Sequence, residues 1–139
     1  MRIVLDTNVA LSALLWRGSP YILLETIRRR QHIQLFTSPV LLGELGEVLI
    51  RPSPSQRLSL IGRAAHEVLA DYIDAVDLVT PLLVPPVIAA DSDDDHVIAA
   101  AVAADADLLV SGDRHLLGLK SHQSIRIVSP AEAIQLLGV

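Results

Sequence analysis

The sequence predicts a three-layer α/β/α sandwich around a central, mostly parallel sheet of four or five strands. Three observations carry that prediction. Short aliphatic runs recur, and two end on an aspartate: Arg2-Ile3-Val4-Leu5 before Asp6, and Leu108-Leu109-Val110-Ser111-Gly112 before Asp113. Runs that are apolar throughout, without alternation, mark strands buried on both faces. Between them lie longer stretches with apolar residues at helical spacing, and strands alternating with helices imply a parallel sheet covered on both sides.

Residues 2–5 form the first strand, and Asp6-Thr7-Asn8 supply capping side chains for a helix from Val9 to Trp16. Gly18-Ser19-Pro20 stops that helix and starts another, whose stripe of Ile22, Leu23, Thr26 and Ile27 runs into Arg28-Arg29-Arg30. Residues 33–37 form the second strand. Ser38-Pro39 then opens a helix carrying Leu41, Leu42, Leu45, Val48 and Leu49, with Glu44 near its start. Pro52-Ser53-Pro54-Ser55 reads as a connection too short to divide two domains, followed by helix from about Ser59 to Val76. Leu78 to Val84, interrupted by Pro81, reads as an edge strand or extended loop. The acidic run Asp91-Ser92-Asp93-Asp94-Asp95 leads into an Ala- and Val-rich helix over residues 96–104. After the Asp113 strand, residues 125–128 form a last strand, and Ser129-Pro130 opens a C-terminal helix from Ala131 to Leu137.

A chain of 139 residues has the usual size of one domain and can bury a core without staples. It contains no cysteine, which excludes disulfides and thiolate metal sites and suits a reducing compartment, the cytoplasm by expectation. The opening residues are too short in apolar length for a signal sequence, and no later segment suits a membrane span. Aromatics make up 3% of residues, so the core is aliphatic; Trp16 is expected in that core or in a dimer contact. A formal charge of −5 argues against non-specific duplex binding through a basic face. Arg17, Arg28, Arg29, Arg30, Arg51, Arg57, Arg63 and Arg114 are the available phosphate partners, most of them readable as solvated helix ends.

Ligands of open parallel sheets bind beyond the carboxyl ends of the strands, where Asp6 and Asp113 both fall. Glu44 and Asp95 are expected in early turns of helices beginning on that side. Each acid alone can cap a helix or hold a turn. Gathered together, four carboxylates repel, and a cation removes that cost. All-oxygen donors, without Cys or a His pair at zinc spacing, favour Mg²⁺ or Mn²⁺, and hydrolysis of a phosphodiester is the reaction such a site suits. Asn8 reads as a cap or as a group orienting a ligand, and Ser111 and Thr7 as outer hydrogen-bond donors or turn residues. The five histidines are scattered and none is assigned a role, with His115 standing nearest to Asp113.

Leu5-Asp6-Thr7-Asn8-Val9, Ser38-Pro39 with Glu44, Asp93-Asp94-Asp95 before Val97-Ile98-Ala99-Ala100-Ala101, and Leu109-Val110-Ser111-Gly112-Asp113 resemble the PIN-domain signature in order and spacing. The resemblance covers essentially the whole chain, and it is strongest to the VapC-like toxins of toxin–antitoxin pairs. It implies that Asp6, Glu44, Asp95 and Asp113 bind Mg²⁺ or Mn²⁺ and that single-stranded RNA is cleaved. With Tyr21, Phe36 and Tyr72 the only aromatics besides Trp16, stacking platforms are scarce, and a structured or short RNA site read through metal and shape is expected. Asp95 is the choice within its run, three residues before Ile98, with Asp93 or Asp91 as the fallback and Asp93 otherwise an outer residue. A homodimer and a small antitoxin are the partners implied, with Leu14, Leu15 and Trp16 as a surface for the antitoxin helix.

Two other acid-on-strand enzymes fit poorly. A haloacid-dehalogenase-type phosphatase needs a second aspartate where Asn8 stands, and a phospho-receiver needs a lysine at a late strand end, whereas the single lysine is Lys120. The alternative of another class is a PIN-fold binding or regulatory protein with little nuclease activity.

Overall fold

The computed structural model describes residues 1–82 and 92–139, with residues 92–94 described by their backbone alone. β1 (Arg2–Leu5) is followed by α1 (Thr7–Leu15), α2 (Ser19–Arg29), β2 (Gln34–Thr37), α3 (Pro39–Leu49), α4 (Pro52–Ile61) and α5 (Ala65–Ala75). Then come β3 (Asp77–Leu78), α6 (Ser92–Ala103), β4 (Leu108–Val110), α7 (Arg114–Leu119), β5 (Ser121–His122), β6 (Ile125–Val128) and α8 (Pro130–Leu137). The sheet order is β3-β2-β1-β4-β6-β5, parallel throughout except for β5, which runs antiparallel to β6. The chain builds outward from β1 in one direction through β2 and β3, then returns to build in the other through β4 and β6. The gap between the carboxyl ends of β1 and β4 is therefore the switch point at which such sheets bind ligands.

Alternation along each strand sends side chains to two separate cores. Ile3, Leu5, Leu35, Leu108 and Val110 pack with Val9, Ala13, Leu23, Leu45, Leu49 and Tyr72 from the helices on one face. Val4, Phe36, Leu109 and Ile127 pack with Val97, Ile98 and Leu116 on the other. On that second face Ala100, Ala101 and Ala104 are wholly buried, and their small side chains let α6 lie close on the sheet. Three layers result, as expected.

The structure corrects the sequence reading in four places. Pro52-Ser53-Pro54-Ser55 is not a connection but the first turn of α4, where proline's missing N–H costs nothing. The single helix expected from Ser59 to Val76 is two, broken at Gly62, whose φ of +67° is left-handed and ends α4. Among the described residues the sheet has six strands, because residues 121–128 form a small hairpin, β5 to β6, turning through the left-handed Gln123. α7 was not foreseen. Of the expected edge strand at Leu78, the structure shows Asp77–Leu78 paired with Phe36 and Thr37, while residues 83–84 lie outside the described residues.

Candidate active site

Asp6 is the residue at which β1 becomes α1. Its backbone N–H still donates to the Val110 carbonyl at 2.9 Å, a strand bond, while its carbonyl already accepts from the Ala10 N–H at 3.0 Å, a helix bond. Its Oδ1 accepts from the Thr7 N–H at 2.7 Å. The capping role open to Asn8 thus belongs to Asp6, which leaves Asn8 exposed in the first turn of α1. Asp6 itself is buried.

The β1–β4 register pairs Leu5 with Val110, so the next residues, Asp6 and Ser111, are level across the switch point. Ser111 is held by its N–H on the Val128 carbonyl at 2.9 Å and is wholly buried. Its Oγ donates to Asp6 Oδ2 at 2.8 Å and accepts from the Asp113 N–H at 2.9 Å. One hydroxyl therefore ties the first acid to the backbone of the last. Asp113 caps α7, its Oδ1 accepting from the N–H groups of His115 at 2.7 Å and Leu116 at 3.3 Å. His115 Nδ1 lies 3.7 Å from the same oxygen on an exposed ring.

Glu44 comes from α3. Ser38, at the end of β2, caps that helix through its Oγ on the Leu41 N–H at 3.2 Å, and Pro39 occupies the first position. Glu44 stands in the second turn, half-buried. Asp6, Asn8, Glu44 and Asp113 line one open cleft of about 500 Å³, together with Glu47, Arg51 and His96. Asp95 is not among the lining residues; it is buried in the first turn of α6, beside His96, which does line the cleft. The side chain of Asp93 and the whole of Asp91 lie outside the described residues. Glu47 and His96 were missed by sequence reasoning, and Arg51 was one of eight undistinguished arginines. The spacing 44, 47, 51 along one face of α3 and its end was the available signal for two of them.

Whether these groups fit a metal ion rests on their chemistry. Hard carboxylate oxygens from Asp6, Glu44 and Asp113 face one open volume, and among the described residues the buried Thr7 hydroxyl next to Asp6 has no hydrogen-bond partner. Among the described residues no three His, Asp or Glu side chains stand close enough to hold an ion by themselves. That combination fits an ion bound by one or two carboxylates that keeps several waters, the habit of Mg²⁺.

Trp16 is not core: at 39% exposed it lies at the end of α1, with the Arg57 guanidinium 5.9 Å from its ring. Among the described residues no helix is long and apolar enough to cross a membrane.

No curated protein sequence matches the chain. In fold it is similar to the crystal structure of VapBC2 from Rickettsia felis bound to a DNA fragment from their promoter. The TM-score is 0.65 at 15% identity, over 93% of this chain and 98% of the other. Residues 2–115 match the family model described as PIN domain, a span that contains Asp6, Glu44, Asp95 and Asp113. The chain belongs to the PIN-domain family.

Proposed function

We propose that this protein is a Mg²⁺- or Mn²⁺-dependent endoribonuclease that cleaves single-stranded or structured RNA, acting as the toxin of a type II toxin–antitoxin pair. PIN domains are generally nucleases and typically use divalent metals. The observation that carries the reading is the Asp6–Ser111–Asp113 linkage facing Glu44 across one cleft at the switch point of the sheet.

Asp6, Glu44 and Asp113, with Asp95 from α6, are the residues that would hold the ion, one or two of them directly and the others through the waters it keeps. The chemistry such an ion supplies is neutralisation of charge at the phosphoryl group and activation of water at neutral pH. The rest falls to the chain. Ser111 fixes the Asp6 carboxylate so that its orientation is set before substrate arrives, which avoids reorganisation during the reaction. Asn8, exposed on the first turn of α1, offers an amide to orient the RNA backbone. The open cleft suits a polymer that must enter along its length rather than a small molecule enclosed on all sides.

The partners in this reading are an RNA substrate, a second copy of the chain in a homodimer, and a small antitoxin, all in the cytoplasm. Leu14 and Trp16, with the buried Leu15 behind them, line a groove of about 290 Å³ at the far end of α1, the surface offered to the antitoxin in this reading. The structural likeness to a VapBC complex supports the toxin assignment.

The test is incubation of the purified protein with mixed-sequence single-stranded RNA in Mn²⁺ or Mg²⁺, beside an EDTA control and the Asp6→Asn variant. Discrete products that need both metal and Asp6 support the nuclease. No cleavage by wild type, with partner binding unchanged in Asp6→Asn, turns the assignment to a binding or regulatory protein.

A further inference from the structure

Among the described residues that line the acidic cleft, Arg51 is the one arginine or lysine. It follows the end of α3, in line with the cleft-facing stripe of Val40, Glu44 and Glu47. Its backbone is pinned on both sides: the N–H donates to the Val48 carbonyl at 3.1 Å, and the carbonyl accepts from the Ser55 N–H at 2.9 Å. Pro52 follows at the first position of α4 and restricts the backbone further. The root of the side chain is thus rigid while the side chain itself is exposed.

An arginine amid carboxylates usually serves as their counter-ion. Among the described residues, however, Arg51 enters no ion pair and no side-chain hydrogen bond, in contrast with Arg63, which is paired to Asp71 and Glu67. Its guanidinium retains a planar fork of donors suited to two oxygens of a phosphate. Glu44 and Leu49, the last residue of α3, lie about 7.5 Å apart along the axis at the usual rise, and Arg51 follows two positions later on extended backbone. It stands to one side of the acids, beyond the end of α3.

We propose that Arg51 is a positioning residue that grips a backbone phosphate flanking the scissile one, and so sets where the RNA strand lies in the cleft. This deepens the nuclease assignment and rests on it. The acids repel a polyanion until cations are in place, and a guanidinium carried on a rigid backbone at the cleft's end gives the strand its first attachment.

The experiment measures binding of a short single-stranded RNA to the non-cleaving Asp6→Asn protein by fluorescence anisotropy in Mg²⁺ over a range of salt. The same protein carrying Arg51→Gln, Arg51→Lys or Arg29→Gln is compared with it. Arg29→Gln removes an equal charge from an exposed helix end away from the cleft. With Arg51→Gln, affinity is expected to fall about tenfold, as for loss of one charge-assisted pair. The slope of log K against log salt is expected to shrink by about 0.7, the value for one phosphate on a single strand. Arg51→Lys restores the slope but less of the affinity, and in the cleaving protein the loss from Arg51→Gln falls mainly on KM. Equal behaviour of Arg51→Gln and Arg29→Gln overturns the proposal and leaves the nuclease assignment intact. Absence of metal-dependent cleavage by the wild type, together with no RNA binding by any variant, overturns both. Circular dichroism melts of each variant separate these outcomes from misfolding.

Discussion

Ser111 Oγ donates to Asp6 Oδ2 at 2.8 Å although the two residues stand 105 positions apart in the chain. The bond exists because β1 and β4 pair in parallel with Leu5 opposite Val110, which brings the residues after each strand side by side. The same oxygen accepts from the Asp113 N–H. Ser111→Ala therefore removes a buried donor from one acid and an acceptor from the backbone of another. A loss of about 1–3 kcal/mol in folding free energy is expected from stranding buried groups. Cleavage is expected to fall about 10- to 100-fold, as for loss of a residue that orients a metal ligand. Urea melts and initial cleavage rates check both. Full activity in Ser111→Ala would show that Asp6 needs no fixing.

The proposed metal binding has its own readout in stability. An ion that binds the folded chain alone stabilises it by about 2.7 kcal/mol at a hundredfold excess over Kd. Thermal unfolding of wild type is expected to shift upward as Mn²⁺ is added, and the shift should vanish in Asp6→Asn and shrink in Glu44→Gln. If Asp6→Asn shifts as far as wild type, the ion binds elsewhere.

Backbone conformation gives a prediction of opposite signs at two glycines. Gly62 ends α4 at a φ of +67°, and a Cβ there would meet nothing within 4 Å, so the cost of Gly62→Ala is purely the left-handed backbone. That cost is about 1–2 kcal/mol. Gly118 lies inside α7 and a Cβ there also meets nothing within 4 Å. Gly118→Ala is expected to stabilise by about 0.5–1 kcal/mol through helix propensity. Denaturant midpoints of the two variants should move in opposite directions, and a parallel movement contradicts the assignment of either backbone.

Much of this arrangement was legible in the sequence because it rests on local chemistry. Aliphatic runs ending in Asp6 and before Asp113 gave the central strands, and Ser38-Pro39 and Ser129-Pro130 gave two helix starts. Other features depend on facts no local pattern carries. Pro52 and Pro54 look like breakers in sequence and become first-turn residues only because α4 begins there. Gly62 interrupts an otherwise continuous apolar periodicity, and one glycine is tolerated in helices too often to mark a break by itself. Trp16 was expected in the core or in a dimer contact on size; the core is filled instead by Leu15, one residue earlier, and Trp16 falls on the outer face of α1's end. The grouping of Glu44 with Asp6 and Asp113 was expected from topology, but Glu47, Arg51 and His96 join them through the packing of α3 and α6 about the sheet, which spacing alone does not reveal.

Arg57 couples the far end of α1 to α4. Its Nε donates to the Leu15 carbonyl at 2.8 Å, one of the last carbonyls of α1, which no helical N–H can satisfy. Arg57→Ala strands that carbonyl and is expected to cost about 1–2 kcal/mol. The guanidinium also stands by the single tryptophan, so emission of Trp16 should change with it. Loss of stability without any fluorescence change would assign Arg57 to the carbonyl alone.

Tyr72 on α5 is buried against the core, and burial pushes its phenol well above the usual range because the charged form would lose its hydration. In the unfolded chain the same phenol ionises near pH 10. Below that pH both states keep the proton and the stability associated with the buried neutral phenol is complete. Above it the unfolded chain alone loses the proton, so folding stability declines by about 1.4 kcal/mol for each further pH unit until the raised folded value is reached. Urea unfolding between pH 9 and about 12 is therefore expected to show a steep alkaline loss that Tyr72→Phe reduces. A Tyr21→Phe background removes the other tyrosine, so ultraviolet absorbance follows Tyr72 alone. Tyrosinate should appear in that background together with unfolding rather than before it. Ionisation of Tyr72 in a chain that remains folded would mean that its ring is reached by water and that α5 is not closed over the core.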